Sequence, residues 1–191
     1  MKKLYDLVIV DSKYCDYLRQ FDNRVSYNAK EKELRPFVGI LFEIDEMKYF
    51  APLSSPKQKH LKMKNDIDFY KLSNGKLGAI NFNNMIPVPD DSYTLIDTKT
   101  QSLTYQEQKY KALLRNQLRW LNRDGEKLRD IASNLYLNRI NNTLPFRVQK
   151  RCCDFQLLEE KCKEYTKMIS TKSFQELEYD EIEEDCDEIN I

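Results

Sequence analysis

Glycine, histidine and tryptophan are scarce in this sequence, which has four, one and one of them in 191 residues. So few glycines leave little room for a Gly-rich loop that cradles phosphates. The single histidine, His60, excludes any mechanism that needs two histidines, and it also excludes a zinc site built on a histidine pair. No apolar run approaches the roughly 18 residues that a membrane span requires, so we predict no membrane partner.

The five cysteines suggest neither a disulfide framework nor a metal centre. Their number is odd and their spacing matches no zinc pattern. Cys152 and Cys153 are adjacent, a poor geometry for one disulfide or for two ligands of one tetrahedral metal. We therefore predict reduced thiols in a cytoplasmic protein, with no metal and no cofactor.

The net charge of zero hides an uneven distribution of charge along the chain. All 31 lysines and arginines lie in residues 1–173, and nine of the 31 acidic residues lie in residues 174–191, so the first part carries a net charge of +9. A basic body predicts a polyanionic partner. The acidic segment is either a solvated, flexible end or a segment that competes with nucleic acid for the basic surface.

Short apolar segments separated by turn residues predict a β-rich first half. Asp45-Glu46 is expected to form a tight turn between two strands of a hairpin, and Asn74-Gly75 is a good turn signal. Seven strands within a hundred residues are too many for βαβ units, so we expect an antiparallel sheet. The predicted strands cover residues 4–10, 37–44, 47–53, 69–72, 77–82, 85–88 and 93–96.

Helical periodicity appears in three places. Asp11 or Ser12 can cap a short helix, and a long apolar stripe at residues 110–135 predicts a second helix that Gly125 weakens in its middle. A third stripe covers residues 155–169. We predict an α+β fold, in which helices cover the open side of a small, strongly bent antiparallel β-sheet or barrel. Residues 1–173 form one domain, and residues 174–191 form a flexible acidic tail.

A polar segment, Ser-Ser-Pro-Lys-Gln-Lys-His at residues 54–60, directly follows the apolar strand at residues 47–53. Functional side chains are often carried by loops that a rigid scaffold fixes. Lysine is a compact cation that can stabilise negative charge, and a serine hydroxyl both donates and accepts hydrogen bonds. This segment is therefore the strongest candidate for chemistry on a phosphodiester.

RNA can be cut without a metal because its own 2′-hydroxyl is the nucleophile. An enzyme must align that hydroxyl with the phosphorus, stabilise the charge of the phosphorane and move protons. The segment at residues 54–60 has side chains suited to these tasks. The expected products are a 2′,3′-cyclic phosphate and a 5′-hydroxyl.

A structural interpretation of the same residues stays open from sequence physics alone. Ser54 and Ser55 before Pro56 can form an ordinary turn. The lysines can form a solvated surface, and His60 can be a surface or capping residue. The clustering indicates function without being specific for it.

Several motifs, in order along the chain, resemble the ToxN/AbiQ family, the toxins of type III toxin–antitoxin systems. The segment APLSSPKQKH at residues 51–60 resembles the family signature APL(T/S)SPKxxH. The N-terminal SKYCDYLRQFD, the strand FVGI, the segments LGAIN and MIP, and FQLLEEK near the end resemble further family motifs. The resemblance extends from about residue 5 to residue 168 and leaves out the acidic tail.

The resemblance implies a metal-independent endoribonuclease with a bent antiparallel sheet similar to that of the Kid/MazF toxins. Its implied partner is an antitoxin RNA of tandem repeats, which the toxin cuts into single repeats that fold as pseudoknots and block the active site. Toxin and RNA are expected to form a hetero-oligomeric assembly. Phage infection frees the toxin, which then cuts cellular or phage RNA and aborts the infection.

The resemblance also implies roles for individual residues. Ser55 and Lys57 occupy the central active-site positions, and Ser54 stands where a relative has threonine. Tyr14 matches the tyrosine of the N-terminal motif and is the fourth catalytic candidate.

Four further residues are candidates for binding RNA or its phosphates. Arg35 stands where a relative has lysine, and an arginine keeps the charge but cannot act as a base. Tyr27 is a possible counterpart of a second tyrosine, in a loop of different length. His60 fits the signature without being the sole general base, and Lys59 precedes it.

Two other functions remain open at this point. The basic body and the twelve tyrosines also suit a non-catalytic RNA-binding module. A MazF-like toxin neutralised by a protein antitoxin is the other alternative.

Overall fold

A computed structural model describes residues 5–26, 35–100 and 104–187, with side chains up to residue 171. Eight strands and six helices form within these residues. The strands are Asp6–Val10 (β1), Pro36–Gly39 (β2), Glu43–Ile44 (β3), Met47–Ser54 (β4), Phe69–Lys71 (β5), Ala79–Asn81 (β6), Ile86–Val88 (β7) and Tyr93–Leu95 (β8). The helices are Ser12–Arg19 (α1), Gln58–Lys62 (α2), Tyr105–Arg123 (α3), Gly125–Ile140 (α4), Phe146–Gln149 (α5) and Phe155–Asp187 (α6).

All strands join one antiparallel sheet in the order β5-β6-β4-β2-β1-β8, and β3 and β7 pair with the first half of β4. Strand β4 changes partners along its length: Lys48 pairs with Val88 of β7, whereas Leu53 pairs with Ile80 of β6. This exchange lets β4 serve two groups of strands, and its last residue, Ser54, ends opposite Ala79. The antiparallel α+β fold predicted from the sequence is confirmed.

The strands and helices share one hydrophobic core, to which both the sheet and helices α1, α3, α4 and α6 contribute. A polar contact crosses this packing where the half-buried Glu159 of α6 accepts hydrogen bonds from Tyr49 Oη and Tyr136 Oη, both at 2.7 Å. Tyr49 lies on β4 and Tyr136 on α4, so a single carboxylate ties the sheet to both helices. This tie helps to fix the strand that leads to the polar segment at residues 54–60.

Several helix caps and turns form where the local sequence favours them. The Asp11 side chain caps α1 by accepting a hydrogen bond from Lys13 N at 2.8 Å. Asp45 and Glu46 both have positive φ, 48° and 66°, as a tight hairpin turn requires. Thr104 and Glu107 form a capping box at the start of α3.

Three expectations need correction. The single strand expected at residues 37–44 is two strands, because Ile40 has φ 50° and breaks the extended backbone. The long helix expected around Gly125 is two helices, α3 and α4, that meet at Asp124. The segment after β4 contains the short helix α2 rather than only a loop.

The acidic segment overlaps the last helix. The backbone of α6 continues to Asp187 and so includes most of residues 174–191. The flexibility of this segment, and its separation from a domain at residues 1–173, stay predictions.

Candidate active site

A cleft with a volume of about 580 Å³ opens where β4 ends. Its walls come from α2, from β5 and β6, and from the residues around α5. Five cationic side chains and two carboxylates line it, so the wall is positively charged overall. The lining cations are Lys57, Lys59, Lys64, Arg147 and Arg151. A polyanion is the ligand that this charge favours.

Ser54 is oriented by a neighbour on the adjacent strand. It is half-buried at the end of β4, and its Oγ accepts a hydrogen bond from Nδ2 of Asn81 at 2.8 Å. A hydroxyl has one hydrogen to donate, and this contact leaves that hydrogen free. The geometry therefore presents Ser54 as a hydrogen-bond donor to a group in the cleft.

Two glycines of the β5–β6 connection allow the backbone to approach this segment closely. A Cβ on Gly78, whose φ is +96°, would lie 2.0 Å from the carbonyl oxygen of Ser54. A Cβ on Gly75, with φ +91°, would lie 2.6 Å from the carbonyl oxygen of His60. Only glycine fits at these two positions, so two of the four glycines in the chain allow the β5–β6 connection to pack directly against the backbone of Ser54 and His60.

His60 forms part of the cleft wall although it is only 2% exposed. Its ring lies 5.9 Å from that of Phe69, and Nδ1 finds no hydrogen-bond partner among the described residues. Burial, and then the charges of Lys59 and Lys57, lower the pKa of His60 below its ordinary value of 6.5. The imidazole is therefore neutral at neutral pH and can accept a proton.

A cluster of ion pairs forms part of the cleft wall. The side chain of Asp68 is 1% exposed and accepts hydrogen bonds from Arg151 Nε at 2.6 Å and Nη2 at 2.7 Å. Asp66 contacts both Arg151 and Arg147 at 3.3 Å. These contacts hold two guanidinium groups in the wall of the cleft.

The structure brings together four of the eight residues that the sequence suggested. Ser54, Lys57, Lys59 and His60 line the cleft. Ser55, the residue after Ser54, is exposed and is not among the residues that line the cleft. Tyr27 lies outside the described residues.

Tyr14 does not fit the catalytic role expected for it. Its side chain is fully buried, and its Oη donates a hydrogen bond to the carbonyl oxygen of Pro87 at 2.7 Å. The ring packs against Tyr165, with 4.9 Å between centroids, and burial raises the pKa of the phenol well above its ordinary value. Tyr14 is therefore a core residue in this structure and, unlike His60, does not line the cleft, so its catalytic role stays a prediction.

Arg35 is also separate from the cleft. It precedes β2, is half-buried and is not among the residues that line the cleft. Burial lowers the pKa of its guanidinium from the ordinary value, and the nearby Cys15 acts in the opposite direction. Arg35 therefore lies outside the residues that line the cleft, and its contact with a phosphate stays a prediction.

Asn81, Asp68 and Arg151 are among the cleft residues that were not predicted from the sequence as site residues. The amide of Asn81 and the carboxylate of Asp68 reach their partners 27 and 83 positions away in the sequence. Asn81 does fall inside the LGAIN segment, which was the one available signal for it.

The described residues contain neither a candidate metal-binding cluster nor a helix suited to a membrane. No group of three or more histidine, cysteine, aspartate or glutamate side chains gathers there in a way that could hold a metal ion. None of the helices found in the described part is both long and apolar enough to cross a membrane.

Comparison with known proteins agrees with this picture. The family model for toxin ToxN of the type III toxin–antitoxin system matches residues 6–163. Endoribonuclease ToxN of Pectobacterium atrosepticum is 34% identical over 166 residues, which cover 83% of this chain and 92% of that protein.

Two solved structures are similar as well. One shows selective inhibition of a type III toxin by a non-coding RNA pseudoknot: it has a TM-score of 0.71 and 30% identity, and the match covers 85% of this chain and 98% of that one. The other is AbiQ, a lactococcal anti-phage endoribonuclease of a type III system, with a TM-score of 0.72, 26% identity and the same coverage.

The fold and these similarities thus place the chain in the toxin class of type III toxin–antitoxin proteins. The chain belongs to the ToxN family of type III toxin–antitoxin systems, in which the related proteins are endoribonucleases.

Proposed function

We propose that this protein is an endoribonuclease toxin that cuts RNA in the cleft at the end of β4. The observation that carries the proposal is the meeting of an oriented serine hydroxyl, exposed lysines and a neutral buried imidazole in one positively charged cleft. These groups match the three tasks of metal-free RNA cleavage: alignment, charge stabilisation and proton transfer.

In this mechanism the 2′-hydroxyl of the RNA attacks the adjacent phosphorus. His60 accepts the proton of the 2′-hydroxyl, and Lys57 stabilises the negative charge on the phosphorane oxygens. Ser54 donates its free hydroxyl hydrogen to a phosphate oxygen, and Ser55 and Lys59 bind the RNA. The bond to the 5′-oxygen then breaks, and this oxygen takes a proton from water, which leaves a 2′,3′-cyclic phosphate and a 5′-hydroxyl. The imidazolium of His60 afterwards returns its proton to the solvent.

The partner that we propose is an antitoxin RNA of tandem repeats. Its processed repeats fold as pseudoknots, cover the cleft and assemble with the toxin into a hetero-oligomer. The solved structure of a related toxin inhibited by a non-coding RNA pseudoknot supports this partner. When the RNA is lost during phage infection, the free toxin cuts cellular or phage RNA, in keeping with the anti-phage role of AbiQ.

We further propose that the toxin acts in the cytoplasm and that residues 1–173 form its catalytic domain. The four cysteines with described side chains are all buried in the protein, which suits reduced thiols in a reducing compartment. The family match at residues 6–163 supports a domain that ends before the acidic segment.

The first experiment is RNA cleavage by the purified protein in EDTA, with determination of the product ends. We expect activity to persist and the ends to be a cyclic phosphate and a 5′-hydroxyl. Loss of activity on chelation would contradict the metal-free mechanism. Lys57→Ala is expected to abolish cleavage, whereas Lys62→Ala, an exposed lysine on α2 outside the cleft wall, serves as the matched control and should cleave normally.

The partner needs its own experiment. The protein is expressed with the DNA upstream of its gene, and the nucleic acid in the purified complex is sequenced. A single repeat-length RNA is the expected ligand. A partner that survives treatment with ribonuclease would instead indicate a protein antitoxin, and cleavage-independent growth inhibition by Lys57→Ala would indicate a binding module.

A further inference from the structure

A second groove, with a volume of about 460 Å³, lies beside α3. The turn at Leu72–Gly75 packs against both α2 and α3, so it lies between the helix that carries His60 and the helix that carries Trp120. Ser73 of this turn lines the second groove, while Gly75 touches the backbone of His60. The two sites are therefore neighbours on the surface, separated by one turn of chain.

The groove has the charge of an anion site. Three exposed cations, Lys76, Arg119 and Arg123, contribute to its wall, and none of the described residues that line it is acidic. Asn116 and Ser73 add neutral hydrogen-bonding groups. Charge alone is ordinary on an exposed helix, so a second feature is needed to indicate a specific ligand.

That feature is a stacked pair of planar groups. The guanidinium carbon of Arg123 lies 3.5 Å from the centroid of the Trp120 ring. Nε of Arg123 also donates to Asp124 at 3.1 Å, and the other carboxylate oxygen of Asp124 accepts a hydrogen bond from Tyr70 at 3.0 Å. The guanidinium is held from two sides, yet the side chain remains 53% exposed.

A guanidinium plane that is fixed on one face and open on the other is a platform for a nucleobase. RNA-binding proteins stack unpaired bases on aromatic rings and on arginine planes, and they contact the flanking phosphates with lysine and arginine. Base-paired RNA hides its base faces, so this arrangement favours a single strand.

We propose that this groove binds a nucleotide of the single-stranded RNA that flanks the scissile phosphate. A base stacks on Arg123, and Lys76 and Arg119 contact phosphates as the strand passes over the turn at Leu72–Gly75. The proposal rests on the proposed function, because it takes the same RNA as the ligand. It adds a binding site for the flanking strand to the chemistry of the cleft.

The groove carries its own reporter, because Trp120 is the only tryptophan in the chain. Its fluorescence can be followed while wild-type protein is titrated with 2′-O-methyl oligoadenylate, which lacks the attacking hydroxyl and so stays uncut. We expect saturable quenching by the single strand and much weaker quenching by the corresponding duplex. Equal quenching by the duplex, or none by the single strand, overturns the proposal.

Variants then assign the contacts. Lys76→Ala and Arg119→Ala should each weaken the quenching and lower the slope of log affinity against log salt by about 0.7, the value for one phosphate contact on a single strand. Lys109→Ala is the matched control, since Lys109 is exposed on α3 and lies outside the groove. Affinities and slopes that match those of Lys109→Ala would overturn the assignment.

Cleavage assays separate this proposal from the proposed function. For a long RNA, Lys76→Ala and Arg119→Ala should raise KM several-fold with kcat unchanged, while cleavage of a dinucleotide stays as in wild type. If wild type cleaves RNA and both variants have the KM of wild type, the groove is not an RNA-binding site, whereas the proposed chemistry of the cleft is unaffected. Quenching without any cleavage by wild type would support the groove as an RNA site and refute the cleft chemistry.

Discussion

Arg151 donates two hydrogen bonds to the buried carboxylate of Asp68, from Nε at 2.6 Å and from Nη2 at 2.7 Å. The carboxylate is 1% exposed and the arginine side chain 45% exposed, so the pair joins the interior to the cleft. The main chain of Asp68 is fixed too, because its carbonyl oxygen accepts from Phe82 N at 2.9 Å. Asp68 thus acts as a positioning residue for a cation in the cleft wall.

Arg151→Met should destabilise the protein more than Arg147→Met. The first change leaves the Asp68 carboxylate buried without its cation. Breaking a fully buried ion pair costs about 3–5 kcal/mol of the free energy of unfolding, and because Arg151 is partly exposed we expect a loss of about 2 kcal/mol. The second removes a side chain that is 75% exposed, where changes stay within about 0.5 kcal/mol. Urea unfolding of both variants measures the difference, and equal stabilities would contradict the role of the pair.

The contact between Asn81 and Ser54 predicts an effect on turnover. Asn81→Ala removes the donor that orients the Ser54 hydroxyl, and we expect kcat to fall about tenfold, which corresponds to roughly 1.4 kcal/mol. Asn81→Asp should reduce kcat further, because a carboxylate accepts the hydroxyl hydrogen and adds negative charge to the cleft. Steady-state kinetics on one RNA substrate would show this order, and unchanged kcat in both variants would refute it.

The strands, the hairpin turns and the polar segment were predictable because their signals are local. Asp45-Glu46 and Asn74-Gly75 are short-range turn signals, and the segment after residue 53 stands out by composition alone. The pairs Ser54–Asn81 and Asp68–Arg151 were not predictable, because their members are separated by 27 and by 83 positions in the sequence and no local periodicity connects residues so far apart.

The family resemblance implies an active-site position for Tyr14. Tyr14 and Leu18 are, however, four residues apart, which is the spacing of one face of a helix. The structure agrees with the spacing, because Tyr14 and Leu18 are both fully buried. A motif match identifies which residue types recur, but only packing decides which way a side chain points.

Tyr14→Phe tests whether the role of Tyr14 is structural or catalytic. The variant keeps the ring and loses the hydrogen bond to the Pro87 carbonyl, so it should lower stability by about 1–2 kcal/mol and leave kcat unchanged. Thermal unfolding and cleavage kinetics on the same preparation separate the two effects. A large fall in kcat at unchanged stability would restore the catalytic role.

Gly78→Ala should be the most disruptive of the small substitutions. Its Cβ would meet the carbonyl oxygen of Ser54 at 2.0 Å and would also force a positive φ on a residue that resists it, with a loss of at least about 2 kcal/mol. Gly39→Ala is the matched control, because its Cβ would lie 3.2 Å from side-chain atoms of Phe50 and Val8 and 3.6 Å from the carbonyl oxygen of Asp6, an ordinary contact distance. Denaturant midpoints should rank Gly78→Ala well below Gly39→Ala, and the reverse order would contradict the close approach.

The lowered pKa of His60 predicts the pH dependence of cleavage. If the neutral imidazole takes the proton of the 2′-hydroxyl, kcat/KM rises with pH and the midpoint of this limb lies below 6.5. Lys59→Ala removes one of the charges that lower the pKa of His60, so the midpoint should move to higher pH. Lys62→Ala is the control, and a midpoint that stays fixed in Lys59→Ala would exclude His60 as the titrating group.

The same pKa affects folding, with a definite sign. Between its folded pKa and 6.5, His60 binds a proton less readily in the folded protein than in the unfolded chain, so the unfolded state is favoured as the pH falls through this window. The contribution of His60 to stability should therefore be complete well above pH 6.5 and should decrease as the pH falls from 6.5 to the folded pKa, by at most about 1.4 kcal/mol per pH unit. His60→Leu removes this titration. Its free energy of unfolding should fall less steeply than that of wild type between pH 6.5 and the folded pKa, and parallel curves would show that the imidazole is as easily protonated in the folded state as in the unfolded one.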